Sequence, residues 1–255
     1  MSDGRRGSWP RSLLLARHGE SAGNVARDLA EAEGLEVIDI QERDTDVDLS
    51  ELGERQAKAL GTWLGDLGDE RPTVALASPY RRAVRTAELA IEAGGLDLEL
   101  VVDERLRERE FGILDRLTHA GIAARHPEEA EARARLGKFY HRPPGGESWC
   151  DVGLRVRSAL DSATREHEGE RLFVVAHQVV IFMFRYVLEH LDEHQVLAAS
   201  RAEELTNCSL TTYVHDPSLG RNGGMRLRRF NEAVALEEAD TTVTAEPDPA
   251  PGGTA

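Results

Sequence analysis

The sequence predicts an α/β fold: a three-layer α/β/α sandwich around a mostly parallel central sheet. Three observations carry this. Short apolar runs of strand length alternate along the chain with longer segments of helical period, the pattern of strands joined by crossover helices. Several runs are apolar without alternation, as strands covered on both faces are. Three of them also stop abruptly at polar residues, Arg17-His18, Ser78 and His177, and the carboxyl ends of such strands are where open α/β sheets hold ligands.

The elements follow in order. Ser12 to Ala16 reads as a buried strand, with a loop and a helix after it. Ser50 is the N-cap of a helix from Glu51 to Leu67, in which Leu52, Gln56, Ala59, Leu60, Trp63, Leu64 and Leu67 recur with a period near 3.6. Thr73 to Ala77 is a second strand. Ser78 then caps a helix that has Pro79 at its first position and runs to about Ala93. Leu98 to Val102 is a third strand. Thr118 to Leu136 is helical and broken at His126-Pro127, within a lid-like insertion spanning 113–145. Residues 139–146 form a loop, and Glu147 to His167 a helix with Val152, Val156, Ala159, Leu160 and Ala163 on one side. Arg171 to Ala176 is a buried strand ending at His177. Val179 to Leu191, apolar nearly all round, is a buried helix. Two strands, Ser209 to His215 and Met225 to Phe230, flank a turn over 216–224. The expected organisation is a disordered start over 1–10, one domain over 11–231, and a disordered tail over 232–255. The tail lacks Lys and Arg and ends rich in Pro, Gly and acids.

Composition narrows the function classes. A chain of 255 residues with 40% apolar content can bury a sizeable core, and no apolar run approaches the roughly 20 residues that span a bilayer. The polar start and the short apolar stretch after it do not fit a signal peptide, so a cytoplasmic protein is expected. Net charge is −15, which argues against nucleic acid or an anionic membrane as partner. Cys150 and Cys208 have neither metal-site nor redox-pair spacing. Only two lysines occur, Lys58 and Lys138, so nearly all positive charge is arginine, whose planar fork suits phosphate oxygens.

The run Leu13-Leu14-Leu15-Ala16-Arg17-His18-Gly19-Glu20-Ser21-Ala22-Gly23-Asn24 is the strongest local signal. A strand that ends in a cation, an imidazole and small residues before a helix is built to hold an anion. A neutral ring nitrogen can attack phosphorus, so the run points to phosphoryl transfer through a phosphohistidine.

Together with Ser78-Pro79-Tyr80-Arg81-Arg82-Ala83-Val84-Arg85-Thr86-Ala87, Leu106-Arg107-Glu108-Arg109-Glu110-Phe111-Gly112 and Val174-Val175-Ala176-His177, this run resembles the histidine phosphatase superfamily, in its phosphoglycerate mutase-like branch. Supporting matches are Leu49-Ser50-x-x-Gly53-x-x-Gln56-Ala57 and Gly145-Gly146-Glu147-Ser148. The resemblance implies that His18 is the phosphorylated nucleophile, Arg17 and Arg82 hold the phosphate, His177 is the second pocket histidine, and Glu108 protonates the leaving oxygen. It also places Ser21, Asn24 and Gln178 at the phosphate or substrate. Residue types alone do not choose Glu108 over Glu110, or Arg82 over Arg81 and Arg85. A general acid must be protonated, so its surroundings should raise its pKa. No metal or other cofactor is expected, because the arginines take the charge a metal would hold. Many members of the superfamily are dimers, which extends the expectation of a homodimer to this chain.

Two departures bear on function. The second histidine is followed by Gln178 where the family often has Gly, which removes an easy close approach of backbone to phosphate. The segment Phe111 to Thr118 lacks the lysine and the Gly-Leu-Asn pattern of the mutases. Phe139-Tyr140-x-Arg142-Pro143-x-Gly145-Gly146-Glu147-Ser148 instead looks like a subgroup of broad-range acid phosphatases. The expected function is therefore a metal-independent phosphatase acting on a small phosphorylated metabolite. A 2,3-bisphosphoglycerate-dependent phosphoglycerate mutase and a non-catalytic phospholigand-binding protein are the alternatives.

Overall fold

The computed structural model describes residues 9–245. In chain order, the first half carries β1 (Ser12–Arg17), α1 (Ala22–Ala32), α2 (Glu51–Gly65), β2 (Val74–Ala77), α3 (Arg81–Ala93) and β3 (Leu100–Val102). The second half carries α4 (His119–Arg125), α5 (Pro127–Leu136), α6 (Trp149–Glu166), β4 (Arg171–Ala176), α7 (Gln178–Leu188), α8 (Glu193–Ala202), β5 (Leu210–Asp216), β6 (Gly224–Glu232) and α9 (Val234–Glu238). Among the described residues these strands form one sheet in the order β3-β2-β4-β1-β5-β6. β1 pairs parallel with β4, and β2 parallel with both β4 and β3. β5 runs antiparallel to β1, and β6 antiparallel to β5.

Side chains alternate across each strand, so the sheet feeds two cores. Leu13, Leu15, Leu172 and Val174 pack with α6 and α7 through Val152, Val156, Val180 and Phe184. Leu14, Ala16, Phe173 and Val175 pack with α2 and α3 through Ala57, Leu60, Ala83 and Ala87, and with Leu236 of α9. The second core is dominated by alanine and glycine, which lets α2 and α3 approach closely: a Cβ at Gly61 would lie 2.3 Å from the Ala90 carbonyl oxygen.

The insertion over 113–145 is docked rather than loose. Its Leu117 forms a β-bridge with Val37, Thr118 Oγ1 donates to the Leu35 carbonyl, and Gly121 lies against the Glu36 backbone. It therefore walls one side of the ligand rim together with the segment after α1.

The structure corrects several expectations. The tail does not begin at 232: Glu232 closes β6, α9 buries Ala235 and Leu236, and residues 241–245 hydrogen-bond into the body of the protein. Composition missed this because two apolar side chains and a few backbone groups suffice to anchor an acidic segment. At the other end, the Trp9 carbonyl accepts from Gly169 N, so residues 9 and 10 belong to the fold. The rest of both expected disordered stretches, 1–8 and 246–255, lies outside the described residues. α3 starts at Arg81, not at Pro79: Tyr80 is its N-cap, and the Ser78 hydroxyl accepts from Tyr80 N (3.3 Å) while also bonding His177. α8 was not expected, although Asp192 and Gln195 form its capping box.

Candidate active site

The three central strands β2, β4 and β1 lie side by side, so the residues just past their ends meet on one rim. The ladder continues one step beyond the strands: His18 N donates to the Ala176 carbonyl (3.0 Å) and Ser78 N to the Val175 carbonyl (3.0 Å). Backbone register thus fixes the spacing of His18, His177 and Ser78. The rings of His18 and His177 stand with centroids 5.1 Å apart, and the Tyr80 ring lies 5.0 Å from that of His177.

Both rings are buried and oriented. His18 Nδ1 donates to the Gly19 carbonyl (2.7 Å), which leaves the lone pair on Nε2. His177 Nε2 shares a hydrogen bond with Ser78 Oγ (2.7 Å), and its Nδ1 stands 3.4 Å from Glu108 Oε2. Burial, reinforced by Arg82 and Arg17, holds the His18 pKa well below the ordinary histidine value. Burial and then Arg82 do the same to His177. Both rings are therefore neutral at pH 7, as a nitrogen nucleophile must be.

The cations come from β1 and α3. Arg17, 4% exposed, donates through Nη1 to the Leu205 carbonyl. Arg82 lies on the buried face of α3 with Ala83, Thr86 and Ala90, while Arg81 and Arg85 point outward to Asp48 and Glu54. Helical spacing thus selects Arg82. Burial works against its charge, but Asp44 and Glu108 together raise the pKa: Nη1 donates to the Asp44 carbonyl (2.8 Å) and Oδ1 (2.9 Å), and Nη2 to Oδ2 (3.3 Å).

Position also separates the two glutamates. Glu108 turns inward to His177, with Oε1 accepting from Arg109 N (2.8 Å). Glu110 is exposed and accepts from the Tyr80 hydroxyl (3.1 Å). Glu147 explains why the Gly145-Gly146-Glu147-Ser148 segment matters here. It pairs with Arg155 (3.0 Å) and Arg107 (2.6 Å), and Arg155 donates to the carbonyls of Arg105 (2.8 Å) and Glu108 (3.2 Å), so the Glu108 backbone is held from below.

A cavity of about 80 Å³ opens on this rim, lined by Arg17, His18, Arg82, Glu108, Gln178 and Asn24 among others. Ser21 caps α1 in a reciprocal box: Asn24 N donates to Ser21 Oγ (3.1 Å) and Ser21 N to Asn24 Oδ1 (2.8 Å). The box leaves the Asn24 amide nitrogen and the Ser21 hydroxyl proton to address a ligand. The N-termini of α1 and α7 both open on the cavity, adding their partial positive charge to that of the arginines. Seven of the eight residues expected at the site line this cavity; His177, fully buried beside His18, does not. His18, Glu108 and His177 also present ligand atoms within 4.8 Å of one another, enough to hold a metal by distance alone. Two buried guanidinium groups beside them make the site favour an anion over a second cation.

Sequence reading missed Asp44, Arg27 and Arg116, all of which line the cavity. Arg116 sits at φ 62°, a left-handed conformation uncommon for a long side chain. Nothing in the local pattern of either arginine marked it.

Two buried arginines, a buried histidine pair and an inward carboxyl group thus meet at the ends of the central strands. The histidine phosphatase superfamily (branch 1) profile matches residues 13–232, and the chain belongs to that superfamily. It is 32% identical to a probable phosphoglycerate mutase of Erwinia tasmaniensis, over 89% of this chain and 95% of that protein. It is 33% identical to a 2,3-bisphosphoglycerate-dependent phosphoglycerate mutase of Rhizobium meliloti, over 75% of this chain and 85% of that protein. Among solved structures it is similar to a mycobacterial glucosyl-3-phosphoglycerate phosphatase with bound vanadate, at 30% identity and a TM-score of 0.66, covering 87% of this chain and 99% of that one.

Proposed function

We propose that the protein is a metal-independent phosphatase that hydrolyses a small phosphomonoester through a phosphohistidine on His18. The observation that carries this is the His18 ring. It is buried, held neutral, and fixed by Gly19 so that Nε2 presents its lone pair beside two arginines. In the first step Nε2 attacks phosphorus, the P–O bond to the leaving group breaks, and Glu108 supplies the proton that the leaving oxygen takes. Arg17 and Arg82 stabilise the charge on the equatorial oxygens. In the second step water attacks the phosphohistidine, Glu108 accepts its proton, and inorganic phosphate leaves with His18 restored.

A second reading has support of its own. Two curated relatives at 32–33% identity are named as phosphoglycerate mutases, one of them probable. A mutase needs cations for the substrate carboxylate, and Arg27 and Arg116 line the cavity. The hydrolase is favoured by the run from Phe111 to Thr118, which lacks the lysine of the mutases, and by the solved phosphatase relative.

The test is phosphate release from a panel of sugar phosphates, phosphoglycerates, nucleotides and an aryl phosphate, in EDTA, with His18→Ala beside the wild type. Release by the wild type alone is the expected result. Interconversion of 3- and 2-phosphoglycerate primed by the bisphosphate, without release, would establish the mutase.

A further inference from the structure

The chain beyond β6 does more than end. After α9, residues 241–245 return to the catalytic loop from the side that the cavity does not reach: neither Gln56, Asn207, Thr242 nor Thr244 lines the cavity. Gln56 and Asn207, at 0% and 1% exposure, receive the segment. Asn207 N donates to the Thr244 carbonyl (2.8 Å), and Thr206 and Ala245 form a β-bridge.

The side chains then form one continuous chain of donors and acceptors. Gln56 Nε2 donates to the Thr242 carbonyl (3.0 Å) and to Thr244 Oγ1 (2.9 Å). Thr244 Oγ1 donates onward to Asn207 Oδ1 (3.0 Å), and Asn207 Nδ2 donates to the His18 carbonyl (3.0 Å). On its other end, Gln56 Oε1 accepts from Glu20 N (2.9 Å). The two amides therefore grip the backbone on either side of Gly19, and the Thr244 hydroxyl links them. Backbone groups orient both amides, Gln56 through Glu20 N and the Thr242 carbonyl and Asn207 through the His18 carbonyl, and the Thr244 hydroxyl joins their remaining ends by accepting from Gln56 and donating to Asn207.

We infer that residues 241–245 are a clasp, with Thr244 as its positioning residue, that holds the His18–Glu20 backbone in the geometry the imidazole needs. The inference rests on His18 being the phosphoryl acceptor. Without the hydroxyl, both amides lose a fixed partner in a buried place and the loop gains freedom, which costs orientation of the nucleophile rather than affinity for the anion.

The experiment compares Thr244→Val, isosteric but without the hydroxyl, with Thr244→Ser, which keeps it, in the full-length protein. Hydrogen exchange of the peptide spanning residues 13–24 is read first, because it needs no substrate. Faster exchange is expected in the valine variant and wild-type exchange in the serine variant. The second readout is hydrolysis of an aryl phosphate at a temperature well below both unfolding midpoints. Thr244→Val is expected to lose about tenfold in kcat, roughly one neutral hydrogen bond of positioning, with KM changed less than threefold and Thr244→Ser restoring kcat. A valine variant whose exchange and kcat both match the wild type would overturn the clasp. So would equal loss in the serine variant, since that would make the role one of packing. A wild type that hydrolyses nothing would refute the phosphatase reading, while the exchange comparison would still decide the clasp.

Discussion

Gly53→Ala is the sharpest test of how the nucleophile loop is held. Gly53 sits in the first turns of α2, where a Cβ would lie 1.9 Å from the Glu20 carbonyl oxygen and 2.9 Å from the Glu20 nitrogen. Ordinary van der Waals contact begins near 3.5 Å, so about 1.5 Å of separation must be found. α2 cannot readily supply it. Its far side abuts α3, with Gly61 against Ala90 and Gly65 against Gly94 at similarly short range. The loop must move instead, and it is already tied to α2 by Ser50 N to the Glu20 carbonyl (2.9 Å) and Ser50 Oγ to Glu20 Oε1 (2.6 Å). His18 is two residues from Glu20, so a shift on the order of 1 Å reaches it, which is worth about 100-fold in rate. Overpacking costs about 1–3 kcal/mol, or a fall of roughly 2–12 °C in Tm for a domain of this size. The assay is kcat on an aryl phosphate at 20 °C beside a thermal melt. A variant that keeps kcat within threefold of wild type would show that the loop does not depend on this contact.

Two other expectations follow from the site. Glu108→Gln should slow alkyl phosphates, whose leaving groups need a proton, by about 10²- to 10⁴-fold, and an aryl phosphate with a good leaving group far less. A plot of log kcat against leaving-group pKa should steepen; parallel lines for variant and wild type would move the acid elsewhere. The second concerns pH. Burial lowers the pKa of His18, His177 and His141 in the folded state, so below about pH 6.5 the unfolded chain binds protons that the folded chain does not. The stability they contribute is full above that pH and is lost as pH falls. The urea midpoint should accordingly drop between pH 7.5 and 5.5, and an unchanged or higher midpoint at pH 5.5 would contradict neutral buried rings.

What could be read from the sequence follows from how local each cause is. β1 and β4 were legible because strands buried on both faces must be apolar throughout, and Leu13 to Ala16 and Leu172 to Ala176 are. The rim was legible because parallel topology puts strand ends together. Arg82 was legible in principle, since 82, 86 and 90 share a helix face, but the pattern had to be read with Thr86 and Ala90 as core. Ser78 shows the limit. Ser-Pro before a helical segment is a sound capping signal, yet the hydroxyl reaches only Tyr80 N, one residue short of the helix, and also bonds His177, 99 residues away. Thr244 and Gln56 likewise act across 188 residues, and acidic composition hid the segment that carries Thr244. Composition could not choose between Glu108 and Glu110, and only the spacing to Phe111-Gly112 favoured Glu108; in the fold Glu108 stands beside His177, while Glu110 accepts from the Tyr80 hydroxyl.

Asp44 raises the remaining question of why a site for an anion should carry a carboxylate. A guanidinium has five N–H donors. In Arg82 both Nη1 protons and one on Nη2 are engaged by Asp44, which leaves Nε and one Nη2 proton for a phosphoryl oxygen. The pair does two things at once. It fixes the guanidinium before any ligand arrives, so no reorganisation is needed when charge develops in the transition state. It also removes roughly one unit of positive charge from the pocket, which weakens the hold on any dianion resting there. A mutase gains by gripping its phosphoryl group through the exchange of intermediates. A hydrolase must let inorganic phosphate go after every turnover. A pocket that is preorganised yet partly neutralised therefore suits release better than retention, and on that ground Asp44 weighs toward hydrolysis.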